Sequence, residues 1–260
     1  MALALLVALL AGLSTVVGGW LGTREQLLRR QALAAALAFA AGLMIAVSVV
    51  EVAPQAVRAL RDVVGLRPAL WWVGAVTLLG ALVVVGIHKV IPHDLNPAEL
   101  EGVEDVDEAR LLRSGLLVAA VVGLHNLPEG LATFMSTLQD PASGITLAVA
   151  IAIHNVPEGV AVAAPIYAAT RDRSRAIMWA TVSGLAEPVG AVVGYLLLRA
   201  VLPEQWLVLS LALVAGMMLA LSFLELLPAA RRYQTHYSQS LVGFFLGAVV
   251  MVLSLALLGL

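Results

Sequence analysis

The sequence predicts an all-α integral membrane protein: eight transmembrane helices in an inverted-repeat bundle, with both termini outside. Three observations predict it. Of 260 residues, 61% are hydrophobic and 12% charged, and the mean hydropathy is +0.98, far above the range of soluble domains. Eight apolar runs are long enough to cross a bilayer, which takes roughly 17 residues or more. Two short polar patterns each occur twice inside those runs.

The runs cover about 2–22, 32–60, 69–90, 111–138, 144–170, 176–200, 205–230 and 241–258, and the whole chain reads as one transmembrane domain, 1–260. The first run contains no charge before Arg24. Without a basic start it is expected to be a retained span rather than a cleaved leader. Between the third and fourth runs lies the longest loop, 91–110, with Asp94, Glu99, Glu101, Glu104, Asp105, Asp107 and Glu108. Its composition predicts a solvated cytoplasmic linker. A sharper reading has His88 and His93 on the exit pathway of a cation, although their spacing defines no ligand set. Gly190-x-x-x-Gly194 and Gly243-x-x-x-Gly247 predict close helix contacts.

Eight spans put both termini on one side, and basic residues choose it. With the N-terminus outside, eleven Lys and Arg residues fall on the inner side and only Arg58, Arg61, Arg67 and Arg199 on the outer. That imbalance favours N-out, C-out. Trp20, Trp71, Trp72, Trp179 and Trp206 lie near run ends, where indole favours the headgroup level. A net charge of -2 gives no reason to expect nucleic acid as a partner. Cysteine is absent, so thiolate metal sites and thiol catalysis are excluded.

The chemistry concentrates in His125-Asn126-Leu127-Pro128-Glu129-Gly130 and His154-Asn155-Val156-Pro157-Glu158-Gly159, which differ at one position. On a helix the His, Asn and Glu fall at roughly 0°, 100° and 40° about the axis, one sector of the surface. Each copy thus presents an imidazole, an amide and a carboxylate together. The proline cannot donate to the carbonyl four residues back, which frees the carbonyls of Leu124 and Ile153 and bends the helix. A single membrane histidine is ordinarily a hydrogen-bonding group; duplication with register intact points to a metal instead. Nitrogen with oxygen suits Zn²⁺, Fe²⁺, Mn²⁺, Co²⁺ or Cd²⁺, where an oxygen-only cage would suit Mg²⁺ or Ca²⁺.

Five glutamates, Glu51, Glu129, Glu158, Glu187 and Glu225, fall inside spans. Borrowing the aspartate value of about 2.5–3.5 kcal/mol each at mid-span, their gross cost is on the order of 12–18 kcal/mol. Such a cost marks an ion path. Ser183-Gly-Leu-Ala-Glu187-Pro188 places Glu187 at the same site, with the Gly184 carbonyl freed by Pro188 and Ser183 on the pathway. Ser48-Val-Val-Glu51-Val-Ala-Pro54 in the second span is matched by Ser222-Phe-Leu-Glu225-Leu-Leu-Pro228 in the seventh. In the N-out topology these spans run in opposite senses, which predicts an inverted repeat about a midplane site. Glu51 and Glu225 either line the pathway or form interhelical hydrogen bonds, and His236 is expected at the surface.

Paired HNxPEG spans, the SGLAEP segment and an acidic third loop resemble the ZIP (Zrt- and Irt-like) divalent metal transporters, especially their bacterial zinc-uptake branch. The likeness covers essentially the whole chain. It implies uptake of Zn²⁺ and related metals toward the cytoplasm through a binuclear site: His125, Glu129, His154 and Glu158 at one position, and Asn126, Asn155 and Glu187 joining the bridging glutamates at the second. It also implies N-out topology. One departure is the third loop, which lacks the histidine-rich run common in relatives.

The metal is expected as substrate, with no organic cofactor, and the multi-pass chain in a bacterial inner membrane, where a homodimer is compatible with the sequence. Two other classes compete. A passive metal-permeable channel would show rapid, poorly saturating flux. An intramembrane metallohydrolase would need an open metal position and a free general base, but no HExxH occurs and each HNxPEG helix offers one imidazole, so the chain is expected not to be an enzyme.

Overall fold

The computed structural model describes residues 1–25, 29–90, 108–201, 203 and 206–257. The acidic stretch 91–107, with His93, lies outside the described residues, and so do the side chains of His88 and His125. The described chain is helical throughout, in eight long helices. They are α1 (Ala2–Gly22), α2 (Arg30–Val64), α3 (Leu66–Val90), α4 (Glu108–Gln139), α5 (Pro141–Thr170), α6 (Arg173–Val201), α7 (Leu209–Tyr233) and α8 (Tyr237–Leu257). Seven satisfy length and hydropathy criteria for crossing a bilayer, and α4 runs for 32 residues. Leu6, Leu10, Leu79, Leu82, Leu197 and Leu253 are exposed on the outer faces of α1, α3, α6 and α8, as lipid-facing residues must be. The protein is a multi-pass membrane protein.

Local chemistry explains where helices stop. Gly65, at φ 86°, takes the left-handed conformation between α2 and α3, where a side chain would be strained. Asp140 alone separates α4 from α5; its carboxylate accepts from the backbone N–H (2.9 Å) and hydroxyl (2.6 Å) of Ser143 while Pro141 opens the helix, satisfying a donor the helix leaves unpaired. Those bonds hold the Asp140 carboxyl below its usual range. At the other end of α5, Arg171 takes a positive φ of 54° and Asp172 caps α6. The one-residue connection at Asp140 makes the two HNxPEG helices consecutive neighbours.

Proline acts differently at three places. Pro128 and Pro157 sit inside unbroken helices, whereas Glu187-Pro188 follows an interruption at Leu185 that splits α6 into Arg173–Gly184 and Ala186–Val201. The expected span of 176–200 is therefore two helical pieces, because the missing Pro188 donor coincides with close backbone crossing at Gly184. A Cβ on Gly184 would run into the Gly12 carbonyl, and one on Gly12 into the Gly184 carbonyl.

Helices α1, α4, α5 and α6 pack together, and α2, α3, α7 and α8 form a second group built on contact between α2 and α7, with α2 packed against α8 and α3 against α7. Glycine makes those two crossings alike. Gly42 meets the Phe244 carbonyl and Gly247 that of Phe39, while Gly216 meets the Thr77 carbonyl and Gly80 that of Leu213. The backbones touch where side chains are missing, which replaces the hydrophobic drive that lipid cannot supply.

Both Ser-x-x-Glu-x-x-Pro segments adopt a π turn, Ser48–Val52 and Ser222–Leu226. Each serine donates to the carbonyl four residues back, Ser48 to Met44 (2.7 Å) and Ser222 to Met218 (2.8 Å). A proline that cannot donate follows each turn, so the ladder slips by one residue. The repeat extends beyond the seven residues of the motif. Ala41, Gly42, Met44, Ala46, Ser48, Glu51, Pro54, Ala56 and Arg58 recur as Ala215, Gly216, Met218, Ala220, Ser222, Glu225, Pro228, Ala230 and Arg232.

Candidate metal centre

Three ligand-type side chains meet where α4 and α5 pack. His154 Nε2 lies 3.1 Å from Glu129 Oε1 and 4.0 Å from Glu158 Oε1. One ligand atom from each of Glu129, His154 and Glu158 lies within 4.8 Å of the others. Metal–ligand bonds of about 2.0–2.2 Å put neighbouring ligands of a tetrahedral ion roughly 3.4 Å apart, so a small rotamer adjustment closes the group on an ion. All three are buried, Glu129 and His154 completely. The i, i+4 spacing puts His154 and Glu158 on one face, as the motif predicts, and α4 supplies Glu129 from across the contact.

The asparagines extend the group. Asn155 Nδ2 donates to Glu187 Oε1 and, at 3.0 Å, to the Ala11 carbonyl, and Asn126 Nδ2 donates at 3.0 Å to the Ser183 carbonyl. Carbonyls only accept, so these bonds fix each amide with nitrogen toward protein. The leftover Oδ1 atoms of Asn126 and Asn155, and Glu187 Oε2, are buried with no hydrogen-bond partner among the described residues. Oxygen is the atom a metal would take, and a buried oxygen without a partner costs on the order of 1–3 kcal/mol. Through Asn155, Glu187 sits beside the Glu129–His154–Glu158 group, and carboxylates gathered in one buried place repel when ionised. A dication among three carboxylates relieves both problems.

Ser183 plays a supporting part. Its hydroxyl donates to the Ala119 (2.8 Å) and Trp179 (3.1 Å) carbonyls while its own carbonyl receives Asn126, tying α6 to α4. Glu51 stands apart from the cluster and accepts from Arg58 on the same helix, at 3.2 and 3.3 Å. For Glu51, left open between the pathway and an interhelical hydrogen bond, the structure shows an ion pair within its own helix. A guanidinium two turns further along reaches back to it. Glu225 is half-buried on the matching turn, and His236 is exposed. Sequence reasoning overlooked Arg58, though its spacing from Glu51 recurs as Glu225 to Arg232.

A bundle with a fully buried imidazole–carboxylate cluster between two proline-bearing helices belongs to the membrane proteins that handle metal ions. A family model described as "ZIP Zinc transporter" matches residues 92–255. The chain is 43% identical over 258 residues to a protein named zinc transporter ZupT from Corynebacterium efficiens, covering 96% of this chain and 95% of that one. It is 46% identical over 261 residues to the one from Lysinibacillus sphaericus, covering 97% and 96%, and 44% identical over 264 residues to that of Nitratidesulfovibrio vulgaris, covering 96% and 95%. The chain belongs to the ZIP family, whose members are transporters and not enzymes.

Proposed function

We propose that the protein carries divalent transition metals, Zn²⁺ foremost, toward the cytoplasm by alternating access through a binuclear site near the bilayer midplane. The carrying observation is the buried Glu129–His154–Glu158 group, joined through Asn155 to Glu187. The names of the similar proteins support zinc as the substrate. In this reading one domain, 1–260, sits N-out and C-out in a bacterial inner membrane and uses no organic cofactor. It works as a monomer or as a homodimer.

An entering ion exchanges water for His125, Glu129, His154 and Glu158, where two carboxylates offset its charge in a low-dielectric setting. His125 takes this role from its motif position. Asn126, Asn155 and Glu187 hold a second ion, with Glu129 and Glu158 bridging. Repulsion between the ions and the weaker amide oxygens keep affinity moderate, so release is feasible. Relative motion of the two four-helix groups then opens the site inward. Because the imidazoles bind as neutral bases and the carboxylates as anions, protons compete with metal and uptake falls as the outside pH drops.

The test is radiolabelled zinc uptake into proteoliposomes, with Fe²⁺, Mn²⁺, Co²⁺ and Cd²⁺ as competitors. Saturable uptake at low metal concentration supports the carrier. Rapid flux that does not saturate would replace it with a pore, and cleavage of a peptide or lipid without flux would replace it with a hydrolase.

A further inference from the structure

Helices α1 and α6 share a pattern. Gly12-Leu13-x-x-x-Val17-Gly18-x-x-x-Gly22 in α1 recurs as Gly184-Leu185-x-x-x-Val189-Gly190-x-x-x-Gly194 in α6. This register pairs Thr15 with Glu187. Backbone contacts follow the same register. Where α1 crosses α5, Gly18 meets the Val156 carbonyl and Gly159 that of Thr15; where α4 crosses α6, Gly190 meets the Leu127 carbonyl and Gly130 that of Glu187. Val156 and Leu127 are the variable residues of the two HNxPEG copies. The amides agree: Asn155 donates to the Ala11 carbonyl, and Asn126 to that of Ser183, the residue equivalent to Ala11.

At the centre of this relation Gly12 and Gly184 face each other. Glu187 Cβ lies 3.2 Å from where a Cβ on Gly12 would sit, and Thr15 Oγ1 lies 3.1 Å from where one on Gly184 would sit. Thr15 thus occupies, on the opposite helix, the place Glu187 occupies on its own. Its side chain is 0% exposed, and its hydroxyl has no hydrogen-bond partner among the described residues. Helical threonines usually return this bond to the carbonyl four residues back, as Thr137, Thr146, Thr170 and Thr181 do. For Thr15 that carbonyl belongs to Ala11, which already accepts Ser14 Oγ at 2.6 Å and Asn155 Nδ2 at 3.0 Å. With the helix directing the Thr15 backbone N–H there as well, that carbonyl is fully subscribed, so the Thr15 hydroxyl is released from its own helix.

We propose that Thr15 is a further residue of the metal site: its hydroxyl supplies a neutral oxygen to the ion, directly or through an ion-bound water, opposite the Glu187 carboxylate. This rests on reading the Glu129–His154–Glu158 group with Glu187 as the transport site. A hydroxyl keeps lone pairs for a cation without adding charge. The two related positions therefore differ by one charge, and the ion is held more tightly toward α6 than toward α1.

The full-length protein, which has no cysteine of its own, allows a direct test. Thr15→Cys places a single soft ligand of similar size at the position, and Cd²⁺ favours thiolate. Purified T15C titrated with Cd²⁺ is expected to show the ultraviolet thiolate-to-cadmium charge-transfer band, absent from the parent protein, and the band should disappear in T15C/E129Q. In proteoliposomes Thr15→Val, which keeps the shape and removes the hydroxyl, should raise KM for zinc about tenfold with little change in kcat, while Thr15→Ser keeps the parent KM. No thiolate band in T15C, under conditions where the parent binds Cd²⁺, overturns the proposal, as does an unchanged KM in T15V. The site reading itself fails differently: Cd²⁺ binding and zinc uptake would then survive Glu129→Gln in the parent background.

Discussion

The two duplicated motifs are alike in sequence logic and opposite in outcome. Both carry a glutamate beside a proline, and both keep register between copies. Yet the HNxPEG copies bring Glu129 and Glu158 together on one imidazole, whereas the Ser-x-x-Glu-x-x-Pro copies sit on α2 and α7, where Glu51 is held by Arg58 instead. The difference lies in what each acid meets. Consecutive helices joined by one residue must pack against each other, so identical polar faces converge. Helices α2 and α7 also pack against each other, with each π turn in contact with the other helix, yet Glu51 is taken up by Arg58 of its own helix. Duplication of an intramembrane acid therefore signals a shared structural device, here a π turn, and signals a shared site only where the acids converge on a common partner.

This contrast can be broken by substitution. The largest effect is expected from Glu129→Gln or Glu158→Gln: zinc uptake falls at least a hundredfold while the protein still reaches the membrane, because a buried site loses one of the two carboxylates beside His154. Near-parental uptake would remove the carboxylates from the site. A smaller loss, about three- to tenfold in maximal uptake with zinc binding preserved, is expected for Glu51→Gln. Arg58 is half exposed and can return to water, and such pairs are worth about 1 kcal/mol or less. If E51Q abolished binding as E129Q does, the distinction between the two motif pairs would be wrong.

Smaller still is Asp140→Ala, which removes the α5 cap. Its carboxyl is held below the usual range by Ser143, so the stability it adds is present above the ordinary aspartate pKa and disappears as pH falls through the lowered folded-state value. The thermal midpoint of D140A should lie below the parent at neutral pH and meet it in acid. A gap that persists in acid would assign the effect to something other than that charge. His236→Ala, on an exposed side chain, should leave uptake and stability unchanged, and a large loss would place it on the pathway.

Much of this was legible before any coordinates. Apolar runs placed the helices to within a few residues, since a bilayer sets span length more strictly than a soluble core does. Helical periodicity put His154, Asn155 and Glu158 on one buried face. Three features were not legible, for separable reasons. The break at Leu185 depends on close approach of Gly12 as well as on Pro188, a tertiary cause. The partner of Glu51 lies seven residues on in its own helix, a spacing an ordinary helical wheel already aligns; it was overlooked because an intramembrane acid is read first for partners on other helices. Thr15 carries no charge and fits an apolar span unremarked; only its alignment with Glu187, backed by the matching glycine contacts, brings it forward. The longer repeat around the π turns was in the sequence all along, at half its positions identical, and was hidden by the variable residues between them.

The central claim, that α4 and α5 together grip a divalent ion inside the bilayer, is tested most directly by anomalous diffraction at the zinc absorption edge from crystals grown with Zn²⁺. A peak within coordination distance of His154 Nε2 and of the Glu129 and Glu158 carboxylates is the predicted result. Strong zinc peaks elsewhere in the bundle, with those three side chains remaining bonded only to protein, would contradict it.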